Sequence, residues 1–257
     1  VRREKDEFKS YVHIGTGNYH PQTARLYTDL GLFTCNKDIT SEVIEVFHFL
    51  TGRSLKSDYK SLLVSPVNLK SEFLTRIRRE ANNRQKELPA RIVAKFNSLE
   101  DKDIISALYE ASQAGVEIDL IVRGFCCLKP QVKGLSENIR VVSVVGRFLE
   151  HSRVFHFANG IENPLEGEFF LGSADWMSRN LLGRVEVATP VWDPDNRERL
   201  WEVLTTLLND QRLAWDMQPD GSYTLRHPNK DSIAKGSHDI LMERAQKRSP
   251  HFSPGLG

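Results

Sequence analysis

The chain has 257 residues, with 35 Lys+Arg against 34 Asp+Glu and a formal net charge of +1. No overall field therefore marks it for nucleic acid or a membrane surface, and any polyanion must be met by local basic clusters. A composition of 40% apolar and 27% charged residues is that of an ordinary globular protein, and the length admits one large domain or two modest ones. Three cysteines, Cys35, Cys126 and Cys127, give neither a disulfide framework nor a spaced metal-ligand set, as expected for a reducing cytosolic compartment. No apolar run approaches the ~18 residues of a membrane span, and the opening VRREKDEFKS is charged where a signal peptide is apolar. Val1 in place of Met leads us to expect upstream sequence.

Two short strands are expected around Tyr11–Ile14 and Arg25–Leu32, separated by the turn Gly15-Thr16-Gly17-Asn18. A helix from about Ser41 would turn Val43, Phe47 and Leu50 inward and stop at Gly52. Thr51–Lys60 is polar and aperiodic and reads as a linker. The strand SLLVSP follows, then a helix capped by Asn68 with Leu69, Phe73 and Ile77 on one face. The strand ARIVAKFNS leads to a helix in which Ser98 and Asp101 approximate a capping box, ended by Gly115. VEIDLIVRGF, NIRVVSVV, SRVFHF, EFFLGS and RVEVATPVW read as further strands, and a helix from about Pro194 turns Leu200, Val203, Leu204 and Leu207 inward. This alternation implies an α/β sandwich with a mostly parallel or mixed sheet. After Gly221 a loosely held tail is expected, with at most one short helix near Asp239–Lys247.

A repeat is concealed in the chain. Moved by 157 positions, Ile14-Gly15-Thr16-Gly17-Asn18-Tyr19 falls on Leu171-Gly172-Ser173-Ala174-Asp175-Trp176, a like-for-like match at each place. Without a gap, Tyr27 then meets Arg184, Asp29 meets Glu186 and Leu30 meets Val187. Copies so far apart indicate paired domains and not a solenoid. The second copy is preceded by GRFLEHSRVFHF, where His151 and Arg153 at i, i+2 share one strand face. The same offset places a matching histidine seven residues ahead of Val1, so the first copy is expected to be truncated.

A His-x-Lys/Arg strand followed by Gly-Ser-x-Asn/Asp, present twice, resembles the phospholipase D superfamily pattern. Within it, HIGTGNYHPQTARLYTD, DLIVRGFCCLKP, GRFLEHSRVF and GSADWMSRNLLGRVEV are similar, in order, to bacterial ATP-dependent polyphosphate kinases. The resemblance covers roughly residues 1–225. It implies the C-terminal part of a first phospholipase D-like domain over 1–58, a second such domain over 59–225 and a tail over 226–257. It also implies reversible transfer of the ATP γ-phosphoryl group to inorganic polyphosphate through a phosphohistidine upstream of Val1. This chain alone would then be inactive.

The resemblance assigns the second histidine to His151, in contact with nucleotide phosphates and able to exchange a proton, a role suited to imidazole. Arg153 stands where the superfamily usually has lysine, keeps the charge, and argues against a generic phosphodiesterase. Arg123 ends a strand at the carboxyl edge where open α/β sheets bind ligands, and its guanidinium can hold phosphate oxygens in pairs. Tyr27 matches a nucleotide-contacting position, and its repeat mate Arg184 is expected to add a phosphate contact. Thr16 and Ser173 could offer hydroxyls to an anion or to the histidines, while Asn18 and Asp175 are expected to orient the histidine face. His13, His20 and His156 read as structural, and Arg76, Arg78 and Arg79 as a solvated face or a polyphosphate path. Mg²⁺ is expected on the ATP phosphates, with no carboxylate cluster set aside for it. Partners implied are ATP/ADP, polyphosphate and a second copy of the full-length enzyme, but no nucleic acid, in the cytoplasm or peripherally at the inner membrane face. A phospholipase D-like phosphodiesterase or nuclease, and a non-catalytic fragment that binds nucleotide or polyphosphate, remain the alternatives.

Overall fold

The computed structural model describes residues 1–5, 7–53, 58–228 and 235–248. Strands β1 (Arg2–Glu4) and β2 (Glu7–Lys9) make a short antiparallel ribbon. Next, β3 (Val12–Gly15) pairs with β5 (Gly31–Thr34), while β4 (Tyr27–Thr28) lies between them in sequence and pairs elsewhere. Helix α1 (Lys37–Leu50) starts ahead of the expected Ser41 because the Asn36 side chain accepts the amides of Asp38 (2.9 Å) and Ile39 (3.3 Å). Its buried face carries Ile39 and Val46, whereas Phe47 and Leu50 are exposed, contrary to expectation. Of the Thr51–Lys60 linker, residues 54–57 lie outside the described residues. Its far end is fixed, since the buried Glu42 carboxylate accepts the amides of Lys60 (2.7 Å) and Leu62 (2.8 Å).

The second unit follows as β6 (Leu63–Ser65), α2 (Leu69–Gln85), β7 (Arg91–Phe96), α3 (Lys102–Gln113), β8 (Glu117–Val122) and β9 (Ile139–Val144). Then come β10 (Leu149–Glu150), β11 (Arg153–Phe157), β12 (Glu168–Gly172), β13 (Glu186–Pro190), α4 (Pro194–Leu208), β14 (Ala214–Met217), β15 (Tyr223–Leu225) and α5 (Ser237–Arg248). Nine strands form one mixed sheet in the order β15-β14-β9-β8-β7-β11-β12-β13-β6. Its centre, β7-β8-β9, is parallel, and both flanks are antiparallel. Alternation along β7 sends Ile92, Ala94 and Phe96 to the face covered by α2 and α3, and Val93 to the face covered by α4. That is the expected α/β sandwich. On the first face Phe73, Phe155 and Trp176 are fully buried and in ring contact, at 4.6 Å for Phe73–Phe155 and 5.3 Å for Phe155–Trp176. Burial of each such side chain contributes about 1.5–3 kcal/mol.

Two expected caps are replaced by neighbouring solutions. Asn68 precedes α2, but its side chain turns back to accept the amide of Val64 (2.6 Å) and donate to the carbonyl of Leu62 (3.2 Å). Helix α3 is capped by Asp101 itself, which accepts from Asp103 (3.2 Å) and Ile104 (3.1 Å), and not by Ser98. Nor is the described part of the tail loosely held. Ser237 and His238, at the start of α5, are buried, and the Ser237 amide donates to Asp210 at 2.6 Å. Among the described residues no helix is long and apolar enough to cross a membrane.

The repeat is visible in hydrogen-bond register. Gly15 faces Gly31 and Ile14 faces Leu32 in the β3–β5 hairpin; 157 residues on, Gly172 faces Ala188 and Leu171 faces Thr189 in β12–β13. The Thr16 amide donates to the Leu30 carbonyl at 2.9 Å, and the Ser173 amide donates to that of Val187 at 3.0 Å. Each hydroxyl then donates to the repeat's acid, Thr16 to Asp29 and Ser173 to Glu186.

Candidate active site

Parallel pairing of β4 with β10 sets Tyr27 beside Leu149 and Thr28 beside Glu150. The His151 amide continues the ladder by donating to the Thr28 carbonyl at 3.2 Å. The first repeat is thereby stitched to the strand that precedes the histidine. Tyr27 stacks on the His151 imidazole, with centroids 4.5 Å apart and planes inclined by 24°. Asp29 Oδ1 lies 2.8 Å from His151 Nδ1 and also accepts the Thr16 hydroxyl at 2.7 Å. A carboxylate only accepts, so this contact holds the proton on Nδ1 and makes Nε2 the accepting nitrogen of the ring.

Arg153 is 7% exposed, and a buried guanidinium must find partners in several directions. Its Nε and Nη2 meet the two oxygens of Asp175 at 3.2 Å each, a bidentate pair. Its Nη1 donates to the carbonyls of His151 (2.8 Å) and Thr16 (3.2 Å), and lies 3.1 Å from His151 Nε2. A lysine has one nitrogen and could not span these partners, which explains the arginine. Asp175 Oδ1 also accepts the Asn97 amide at 2.7 Å, and the Asn97 side chain accepts from Arg123 Nε at 3.0 Å. One hydrogen-bonded chain thus runs from Arg123 through Asn97, Asp175 and Arg153 to His151.

The structure therefore brings together Thr16, Tyr27, His151, Arg153 and Asp175, with Arg123 at the end of the chain. Ser173 sits in the second copy of the hairpin, where the Glu186 carboxylate takes its hydroxyl and the Asn180 amide, the latter at 2.6 Å. Asn18 is exposed, and its side chain makes no hydrogen bond among the described residues; only its carbonyl accepts, from the Thr23 hydroxyl at 3.4 Å. Arg184 is exposed too, without an ion pair among the described residues, and follows a short π-helical turn over Arg179–Gly183. His13 is exposed and lies on the likewise exposed Phe33 at 4.5 Å, whereas His156 is buried against Phe169 and Trp201 as part of the core.

Sequence reasoning assigned no site role to four neighbours. Asp29 was visible only as the repeat mate of Glu186. Asn97 carried no signal. Lys95 and Glu150 form an ion pair at 3.2 Å with 1% and 3% of their side chains exposed. The signal was a lysine inside an otherwise apolar strand, since burying a charge requires a partner. Burial opposes ionisation of Glu150, but Lys95 and His238 outweigh it and hold the carboxyl at about 2. Among the described residues no group of three or more His, Cys, Asp or Glu side chains could hold a metal ion. The site's acids, Asp29, Asp175 and Glu186, are each already engaged by side-chain donors, so these residues do not fit a protein-held metal.

Residues 62–235 match the family profile described as polyphosphate kinase C-terminal domain 2, and residues 1–56 that of C-terminal domain 1. The chain is 53% identical to a polyphosphate kinase of Synechocystis over 95% of its own length and 33% of the relative's. It is 50% identical to one from Xylella fastidiosa over 95% of its length and 34% of the relative's. The crystal structure of polyphosphate kinase from Porphyromonas gingivalis superposes with a TM-score of 0.88 at 36% identity, covering 96% of this chain and 37% of that one. The chain thus spans about a third of the length of these curated relatives. With the duplicated hairpin in the fold and both profiles matched in order, the chain belongs to the polyphosphate kinase family.

Proposed function

We propose that the full-length protein reversibly transfers the γ-phosphoryl group of ATP to inorganic polyphosphate, and that this chain supplies the half-site built around His151. The observation that carries the reading is the set of contacts fixing that imidazole: Asp29 at 2.8 Å, Tyr27 stacked at 4.5 Å and Arg153 at 3.1 Å. Acid and tyrosine come from one repeat, imidazole and arginine from the other. Preorganised groups of this kind lower a phosphoryl-transfer barrier because charge migrates while little covalent chemistry is asked of the protein.

In the first half-reaction an upstream imidazole, the repeat mate of His151, attacks the γ-phosphorus. The N–P bond forms as the bridging P–O bond breaks, and the electron pair leaves on the β-phosphate oxygen of ADP. His151 Nε2 serves that oxygen, with Arg153 and Arg123 offsetting the charge. In the second half-reaction a terminal polyphosphate oxygen attacks phosphorus, and the P–N bond releases the imidazole. By analogy within the repeat, Glu186 is expected beside the upstream histidine, as Asp29 is beside His151. Magnesium, brought with the nucleotide phosphates, would neutralise part of their charge, and no residue of this chain is assigned to hold it. A cytoplasmic homo-oligomer, able to sit peripherally at the inner membrane face, completes the reading.

The test is incubation of the full-length protein with γ-labelled ATP. Label is expected first on protein histidine and then in an acid-insoluble polymer. Label in neither place overturns the reading. This chain alone is expected to make no polyphosphate.

A further inference from the structure

The last helix reaches the residues that bracket His151. Lys95 Nζ, on the central strand β7, donates to the Ser152 carbonyl at 2.8 Å and pairs with Glu150 Oε2 at 3.2 Å. One buried ammonium thus holds the residue before His151 and the residue after it. The other Glu150 oxygen is 2.9 Å from His238 Nε2, in the first turn of α5, with both side chains 3% exposed. The Phe148 amide points at His238 Nδ1 at 3.4 Å, which makes Nδ1 the acceptor and Nε2 the donor to Glu150. Gly146 makes room for this ring, because a Cβ there would lie 2.7 Å from Nδ1. Helix α5 also lines, with Tyr27, Asp29 and Glu150, a cleft of about 720 Å³.

We infer that His238 and Lys95 are positioning residues for His151, acting through Glu150 and Ser152, and that α5 is thereby part of the catalytic half-site. The inference rests on the catalytic reading of His151 for its effect on rate, but not for its effect on the imidazole's place. Glu150 and His151 are neighbours on one extended segment, so their side chains point to opposite sides. A shift of the buried carboxylate therefore moves the imidazole against Asp29 and Tyr27. Misplacement by about 1 Å can cost roughly 100-fold in rate. Contacts of α5 that do not involve His238 remain in a variant: Ser237 to Asp210 at 2.6 Å, Arg244 to Thr206 at 3.0 Å and Arg244 to Glu202 at 3.1 Å.

The experiment compares His238→Ala, His238→Gln and Gly146→Ala. In the full-length kinase, His238→Ala and Gly146→Ala should each lower kcat by about tenfold or more while the ATP KM stays within about twofold. His238→Gln should recover most of the loss, since its amide can donate to Glu150. In this chain, the His151 imidazole ¹⁵N resonances should move in His238→Ala and return towards wild type in His238→Gln. Unmoved His151 resonances, or equal losses in the Ala and Gln variants that track loss of melting temperature, overturn the inference. If His151→Ala keeps full activity while its wild-type resonances still respond to His238, the positioning stands and the catalytic reading falls.

Discussion

Asp29 reaches His151 at 2.8 Å across 122 residues of sequence, joining the acid of one repeat to the imidazole of the other. The contact follows from β4 lying parallel to β10, because Thr28 pairs with Glu150 and each next residue emerges on the same side. Replacing Asp29→Asn removes the charge that can only accept, and the Nδ1–H tautomer is no longer enforced. In the full-length enzyme kcat should fall by about 10- to 100-fold, the range of one acid–base contribution, with a smaller change in ATP KM. Steady-state polyphosphate synthesis checks this, and unchanged kcat would show that Asp29 serves packing alone.

The corresponding acid of the second repeat should affect a different step. Glu186 is 9% exposed, holds the Ser173 hydroxyl and the Asn180 amide, and has no histidine partner among the described residues. Glu186→Gln in the full-length enzyme should slow formation of the phosphohistidine by about tenfold or more. In this chain it should leave the His151 resonances in place. Rapid-quench labelling separates the two; a normal rate of protein phosphorylation would refute the equivalence of the acids.

Much of this site is legible in sequence because repetition and motif order report on the same residues. The family resemblance names Tyr27, His151 and Arg153, and the 157-residue offset sets Asp175 against Asn18 and Arg184 against Tyr27. The rest depends on contacts that sequence order conceals. Lys95 lies in a strand that reads as buried and apolar, and only the fold shows that Glu150, distant in sequence, neutralises it. In α1, helical spacing marked an apolar stripe through Val43, Phe47 and Leu50. A second stripe through Ile39 and Val46 faces the core, however, and periodicity cannot rank two stripes. Asn68 has a capping residue's chemistry, yet its amide is used by the preceding strand.

Buried His156 should make stability depend on pH above the carboxylate range. Burial, aided by Arg91, pushes its imidazole down to about 4 from 6.5, while its hydrogen bond to the Pro164 carbonyl opposes the shift. Between those values the unfolded chain takes up a proton that the folded chain does not. The stabilisation is therefore complete above about 6.5 and is lost as pH falls towards 4, by about 3 kcal/mol in all. Glu150 acts lower, losing its contribution as pH falls from about 4.5 to 2. Melting temperature should thus drop from pH 7 to pH 5 in the wild type and change less in His156→Phe. Parallel curves for the two proteins would place the titration elsewhere.

Gly172 and Gly15 occupy the same place in the two hairpins, yet alanine should affect them unequally. A Cβ at Gly172 would lie 2.5 Å from the Val187 carbonyl oxygen and 2.8 Å from Ala188 Cα, both backbone atoms of the paired strand. The neighbour cannot yield without opening the β12–β13 ladder that positions Glu186. At Gly15 the nearest atom is the Tyr19 hydroxyl, the far end of a 64% exposed side chain that can yield at the cost of its weak 3.3 Å contact with His13. Gly172→Ala should cost about 1–3 kcal/mol or more, as overpacking does. In a chain of this size each 1 kcal/mol lowers the melting temperature by roughly 2–4 °C. Gly15→Ala should shift it by less than about 2 °C. Thermal melts of the two variants decide the matter; equal shifts would mean that the second hairpin gives way as easily as the first.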